Sequence, residues 1–282
     1  MPVDLLLEPL RYGFLLRGLA AAVLIGVICA VIGTYVVLKG FAFIGDALAH
    51  IAFTGIVVAF LAGFVFYLGA LAAAVAAGLG IGLIQRRVGL RTDTAIGILF
   101  SGIFALGIVL MSLGIKTYTV DLFSYVFGDI LAVRPLDLLV ILGLGGVVLL
   151  TIVLLYKELL FVSFDPVVAE ATGLPGGMLQ LLLLTLLSVT VVASVQAVGV
   201  VLVVAMLVTP SATAYLLTDR FQRMMLLGAG FGALSALIGF YLSYYLNVPS
   251  GGTIVLVASA LFALVALLSP RRGGRRHLLA GR

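Results

Sequence analysis

The run GGMLQLLLLTLLSVTVVASVQAVGVVLVVAMLVTPSATAYLL, residues 176–217, contains no Asp, Glu, Lys or Arg. As one α-helix it would extend about 63 Å, roughly twice the hydrocarbon thickness of a bilayer. It must therefore fold into two membrane spans, and Gln196 and Gly199 mark the expected turn. The rest of the chain has the same character. Of 282 residues, 64% are hydrophobic and only 10% are Asp, Glu, Lys or Arg, against roughly 25% charged in an ordinary soluble domain. So few charges cannot cover a water-facing surface, and a soluble globular domain is excluded.

Working outward, apolar runs fall at about 15–38, 40–62, 64–85, 94–113, 135–156, 176–195, 197–217, 224–246 and 250–269. The expected fold is all-α: a polytopic helical membrane protein with eight to nine transmembrane helices, read as one domain over 1–282. The first run is too long for a cleavable signal peptide and is followed by Lys39. Cys29 is the single cysteine, so no internal disulfide can form and a cysteine-rich metal site is excluded.

Orientation follows from the cations. With nine spans and a cytoplasmic C-terminus, Lys39, Arg86, Arg87, Arg91, Lys157, Arg220, Arg223, Arg271, Arg272, Arg275, Arg276 and Arg282 lie inside, and Arg11, Arg17, Lys116 and Arg134 outside. Twelve against four satisfies the positive-inside rule. An eight-span arrangement would bring Arg11 and Arg17 inside but needs a re-entrant early segment. The net charge of +5 is thereby assigned to membrane-side loops and a basic tail at 270–282, not to nucleic-acid binding.

Two ionisable residues stand inside a span: Asp46 and His50, in KGFAFIGDALAHIAFTGIVVAF. Spaced i, i+4, they share one helix face with Phe53 and Thr54. A helix starting near Gly40 would place His50 about 15 Å into the bilayer. A charge at the bilayer centre costs at least about 2.5 kcal/mol on insertion scales, so such residues usually serve a function. A carboxylate and an imidazole one turn apart make half of a site for divalent Mn, Fe or Zn, and the lack of thiolates argues against Cu(I). A second copy of the chain, related by a two-fold axis, would complete the set. A structural Asp–His bond and a proton relay are the alternatives. His277, in the basic tail, reads as a solvated residue.

The longest cytoplasmic connection, about 157–177, carries a short helix with both ends signalled. Asp165 is a favoured N-cap, Pro166 suits the first helical position, Gly173 suits the left-handed stop, and Pro175 blocks extension. The helix is expected from about Pro166 to Thr172, presenting Val167, Val168 and Glu170 either to a partner or as an ordinary interfacial helix. Pro210, within VTPSATAYLLTDR, predicts a bend whose freed carbonyls Thr209, Ser211 and Thr213 can satisfy, as a kink near the permeation path or, the favoured reading, as a packing feature. The external loop is expected to form a half-helix on the outer face, where Asp121, Asp129 and Asp137 would attract cations or a partner protein, a solvated loop being the plainer account of each acid. The chain has no G-x-x-x-x-G-K-[ST] phosphate loop and no H-E-x-x-H motif, so it is expected not to be an enzyme.

The stretches GDALAHIAFTG, SFDPVVAEATGLP, VTPSATA and YLSYYLNVPSGGTIVL, in that order, resemble the permease subunits of bacterial zinc/manganese ABC importers. The resemblance covers nearly the whole chain, and departs from many relatives at Ile51 and Thr54. It implies a multi-pass protein of the bacterial cytoplasmic membrane, paired with a second copy of itself. Cytosolic ABC ATPase subunits and an extracytoplasmic metal-binding protein would be its other partners. It also implies that Asp46 and His50 line the metal path, and that Ser163, Asp165, Pro166, Glu170 and Gly173 belong to the ATPase-coupling loop. The cargo would be Mn2+ or Zn2+, with Fe2+ possible and no permanently bound cofactor. The competing readings are a permease for a siderophore or corrinoid chelate and an ATP-independent divalent-cation carrier.

Overall fold

A computed structural model describes residues 11–114 and 130–269. Lys116, Asp121 and Asp129 of the external loop, and the basic tail with His277, lie outside the described residues. Among the described residues, nine helices are long and apolar enough to span a bilayer. In chain order the helices are α1 (Gly13–Lys39), α2 (Ile44–Ala62), α3 (Phe66–Val88), α4 (Thr92–Gly114), α5 (Pro135–Leu154), α6 (Tyr156–Phe164), α7 (Pro166–Ala171), α8 (Gly176–Val198), α9 (Val200–Leu217), α10 (Phe221–Leu246) and α11 (Ser250–Leu268). A 3-10 turn at Ile130–Ala132 precedes α5. The α6 and α7 helices are the two too short to span.

The charge-free run divides where its sequence suggests. Gly199 has φ 81° and ψ 165°, a conformation that side chains rarely tolerate, and it separates α8 from α9. A similar stop ends α1 earlier than the apolar pattern implies. Gly40 takes φ 71° and donates its N–H back to Val36 and Val37. The chain then turns through Phe43, and α2 begins only at Ile44. This corrects the expected start near Gly40.

The bundle has a packed centre and a loose edge. Of the best apolar window in each span, 72% is buried in α1, α2 and α8, but only 11% in α4 and 17% in α11. Helix α1 is the central stave, with α9 and α10 against one side and α5 against another. Small residues permit this approach: a Cβ on Gly26 would come within 2.7 Å of the Gly232 carbonyl on α10. Helix α2 packs against α3 and α4, and α8 bridges α3 and α5.

Three other expectations need revision. The fifth span stops at Leu155, and the chain resumes helix at once as α6, which buries Leu159 and Val162. The connection is therefore an elbow of two helices, not a loop with one. Pro210 lies inside the continuous helix α9. The carbonyl it deprives of a donor belongs to Met206, yet Ser211 bonds to Ala30 and Leu207, and Thr213 to Thr209. The Ser211–Ala30 bond ties α9 to α1, so this segment serves packing. Asp137 is 6% exposed, accepting hydrogen bonds from the Tyr67 hydroxyl at 2.6 Å and the Arg134 N–H at 3.0 Å. It fastens α5 to α3, so it is no free acid at the outer mouth.

Candidate functional site

Asp46 sits in the first turn of α2, where the positive end of the helix dipole favours a carboxylate. His50 follows one turn later, about 9 Å along the helix from Ile44. The pair therefore lies nearer the start of α2 than a helix beginning at Gly40 would place it, because Gly40 to Phe43 are spent on the turn. The predicted common face is present: His50 Nδ1 is 3.5 Å from Asp46 Oδ1. Nδ1 also lies 2.9 Å from the Asp46 carbonyl oxygen. A carbonyl only accepts, so Nδ1 donates in that bond, and in the neutral ring Nε2 is the nitrogen left with a lone pair.

The ring is held by α4. His50 meets Phe100 and Phe104 edge-on, with centroids 5.4 and 5.2 Å away, and these two phenyl rings stack on each other at 5.8 Å. One turn further along α2, the Thr54 hydroxyl donates to the Ile103 carbonyl at 3.0 Å, and Gly107 lies directly against Thr54. Helix α4 is thus the wall that orients the imidazole. Sequence reasoning missed Phe100 and Phe104, because two aromatics four apart in an apolar span look like ordinary lipid or core contacts.

The half-site is open and short of ligands. The side chains of Asp46 and His50 retain 43% and 25% exposure, unusual on a helix otherwise so enclosed. Among the described residues, no cluster of three or more His, Cys, Asp or Glu is present. Two donors from one chain are too few to hold a transition metal.

The second candidate region is the elbow. Asp165 caps α7 with Oδ1, accepting from Val167 N–H at 3.1 Å and Val168 N–H at 3.0 Å. Gly173 takes φ 85°, and the helix runs Pro166–Ala171, within a residue of expectation. Val167, Val168 and Glu170 are exposed. Ser163 does not join that surface; its hydroxyl bonds back to the Leu159 carbonyl at 2.6 Å within α6. Helix α6 is fastened to the bundle by aromatics: Tyr156 and Phe164 pack on Phe221 of α10, which meets Tyr35 of α1 at 4.8 Å. Lys39 Nζ, at the end of α1, lies 3.5 Å from the Val162 carbonyl of α6.

At the opposite, outer end, a cavity of about 760 Å3 opens among Leu15, Ile130, Val198, Phe240, Tyr244 and Asn247. It has no carboxylate in its lining and is remote from Asp46 and His50.

Comparison with known proteins follows this geometry. The sequence profile of the ABC 3 transport family matches residues 11–269. The manganese transport system membrane protein MntC of Halalkalibacterium halodurans is 50% identical over 264 residues, covering 94% of this chain and 90% of that one. The chelated iron transport system membrane protein YfeC of Yersinia pestis is 37% identical over 271 residues, 96% of this chain and 92% of the relative. Among solved structures, PsaBC from Streptococcus pneumoniae, in complex with a Fab, superposes with a TM-score of 0.84 at 34% identity, covering all of both chains.

Proposed function

Because the chain belongs to the ABC 3 transport family, we propose that it is the membrane-spanning subunit of an ABC importer for a divalent transition metal, with Mn2+ as the first candidate. The observation that carries the reading is the Asp46/His50 half-site. A carboxylate and an imidazole lie 3.5 Å apart on an enclosed helix, and α4 orients the ring. Hard oxygen and borderline nitrogen donors suit Mn2+, Zn2+ and Fe2+. Manganese is favoured by the name of a relative half identical to this chain.

Two copies of the chain form the pathway, each contributing Asp46 and His50 to one four-ligand site on the two-fold axis. The outer cavity receives an extracytoplasmic metal-binding protein, whose delivered ion passes between the copies. On the cytoplasmic side, α7 seats in an ATPase subunit. Its caps make it a rigid lever, and Val167, Val168 and Glu170 form its contact surface. ATP is hydrolysed by that partner.

Transport of a metal chelate is the second reading, favoured by the name of the chelated-iron relative. The two differ in what the inner site must hold: a bare ion needs Asp46 and His50, whereas a chelate brings its own ligands. The test is uptake by proteoliposomes containing the assembled transporter, offered radioactive Mn2+, Zn2+ and Fe2+, and ferric iron as a siderophore chelate. Uptake of a free ion that fails in His50→Ala supports the proposal. Chelate uptake unchanged in His50→Ala would replace it with the second reading.

A further inference from the structure

Helices α2 and α4 meet along one seam. Their contacts climb together: His50 touches Phe100 and Phe104, and Thr54 meets Ile103 and Gly107. The two helices therefore run parallel. On α4 the seam continues to an acid that the half-site does not use. Asp93 lies seven residues before Phe100 and eleven before Phe104. At about 100° per residue it shares their face, about 10 Å nearer the start of α4 than Phe100. Along the seam this puts Asp93 about 8 Å beyond Asp46, on the side away from His50.

A second observation places Asp93 at the same spot. A cavity of about 360 Å3 opens beside the turn between α1 and α2, lined by Lys39, Gly40, Phe41, Arg91 and Asp93. Gly40 and Phe41 belong to the turn that leads into the helix of Asp46. Arg91 and Asp93 are exposed. Among the described residues, none of the three charged groups in this cavity forms an ion pair. The helix dipole favours an acid in a first turn, but that role needs neither the register with Phe100 and Phe104 nor the cavity.

We propose that Asp93 is a release residue, the carboxylate that a divalent ion meets on leaving Asp46 and His50. The inference rests on the proposed function, in which the ion passes from the half-site towards this end of the bundle. Lys39 and Arg91 repel a dication in the cavity, and Asp93 offsets one of their two charges. Exposed to water and flanked by cations, Asp93 holds the ion weakly, as a release step needs. Asp46 and His50 bind the ion; Asp93 lowers the barrier in front of them.

The test measures initial rates of radioactive Mn2+ uptake in proteoliposomes containing the complete transporter, across Mn2+ concentrations and at low and high salt. Asp93→Asn is expected to lower the maximum rate about fivefold at low salt, the effect of one charge on a dication about 8 Å away in water. The KM should not rise. The deficit relative to wild type should shrink at high salt. Asp93→Glu should keep the wild-type rate. Adding Arg91→Gln or Lys39→Met to Asp93→Asn should restore most of the rate, since each removes a cation from the cavity. Lys39 lies on α1, so its substitution cannot act through the end of α4. A wild-type maximum rate in Asp93→Asn overturns the inference. A raised KM also overturns it, by making Asp93 a ligand of the tight site. A loss that neither second substitution nor salt relieves overturns it too, by making Asp93 structural. Asp46→Ala separates this inference from the proposed function. Uptake at the wild-type rate in Asp46→Ala overturns both, whereas its loss beside a wild-type Asp93→Asn overturns the role of Asp93 alone. If Asp93→Asn fails to assemble, Asp93→Ser is judged by the same outcomes.

Discussion

The α6–α7 elbow and the Asp46/His50 pair lie at the same end of the bundle but are built by opposite means. The caps of α7 are complete within one stretch of chain, and α6 leans on a distant helix. Asp165 caps α7, Gly173 ends it, and Phe164 and Tyr156 anchor α6 on Phe221. The Asp46/His50 pair, the proposed metal half-site, draws on distant parts of the chain. It needs Asp46 and His50 from α2 and the stacked Phe100 and Phe104 from α4, and two donors remain too few. A lever must be stiff on its own, whereas a transport site must change its ligands as the copies move. On the proposed function, locally complete caps suit α7 to act as a lever, and the missing donors leave Asp46 and His50 to be completed by a second copy.

Variants can break that contrast, beginning with the largest effect. His50→Ala removes a ligand and should reduce metal uptake to background while the protein still inserts and binds its ATPase partner. Radioactive uptake at matched expression checks this, and transport at the wild-type rate would remove His50 from the path. Gly107→Ala should act on the same region through packing, since the added methyl meets Thr54 directly. A loss of about 1–3 kcal/mol in unfolding stability is expected from overpacking, with weaker Mn2+ binding as α4 shifts away. Thermal unfolding in detergent and equilibrium binding report the two effects separately.

Asp165→Ala sharpens the other side of the comparison. Losing the cap should cost about 1 kcal/mol of helix stability. Equilibrium Mn2+ binding should be unchanged, and uptake per ATP should fall; a fall in binding instead would merge the two regions into one. Ser211→Ala should do least. Its bond to the Ala30 carbonyl ties α9 to α1 away from both regions, and such intramembrane bonds average about 0.6 kcal/mol. Binding and uptake per ATP should both match wild type.

How much of this was legible follows from the range of each interaction. The spans and the turn at Gly199 were readable because hydropathy and glycine act locally. So was α7, whose cap, proline and glycine lie within one stretch. The start of α2 was placed too early because the apolar pattern runs unbroken through Gly40 to Phe43, and only the backbone at Gly40 reveals the turn. Helix α6 was missed because a break at Leu155 has no residue signature. Phe100 and Phe104 acquire meaning only against His50, fifty residues away. The Lys39–Val162 contact joins residues 123 apart, and no local pattern announces it.

The most direct test of the central claim is the number of metal ions held by the purified permease pair. Titration with Mn2+, followed by the electron paramagnetic resonance of the free ion, gives stoichiometry and affinity together. One site completed by two half-sites predicts a single tight ion per two chains, lost in Asp46→Ala. One ion per chain, or tight binding undiminished in Asp46→Ala, would contradict the account.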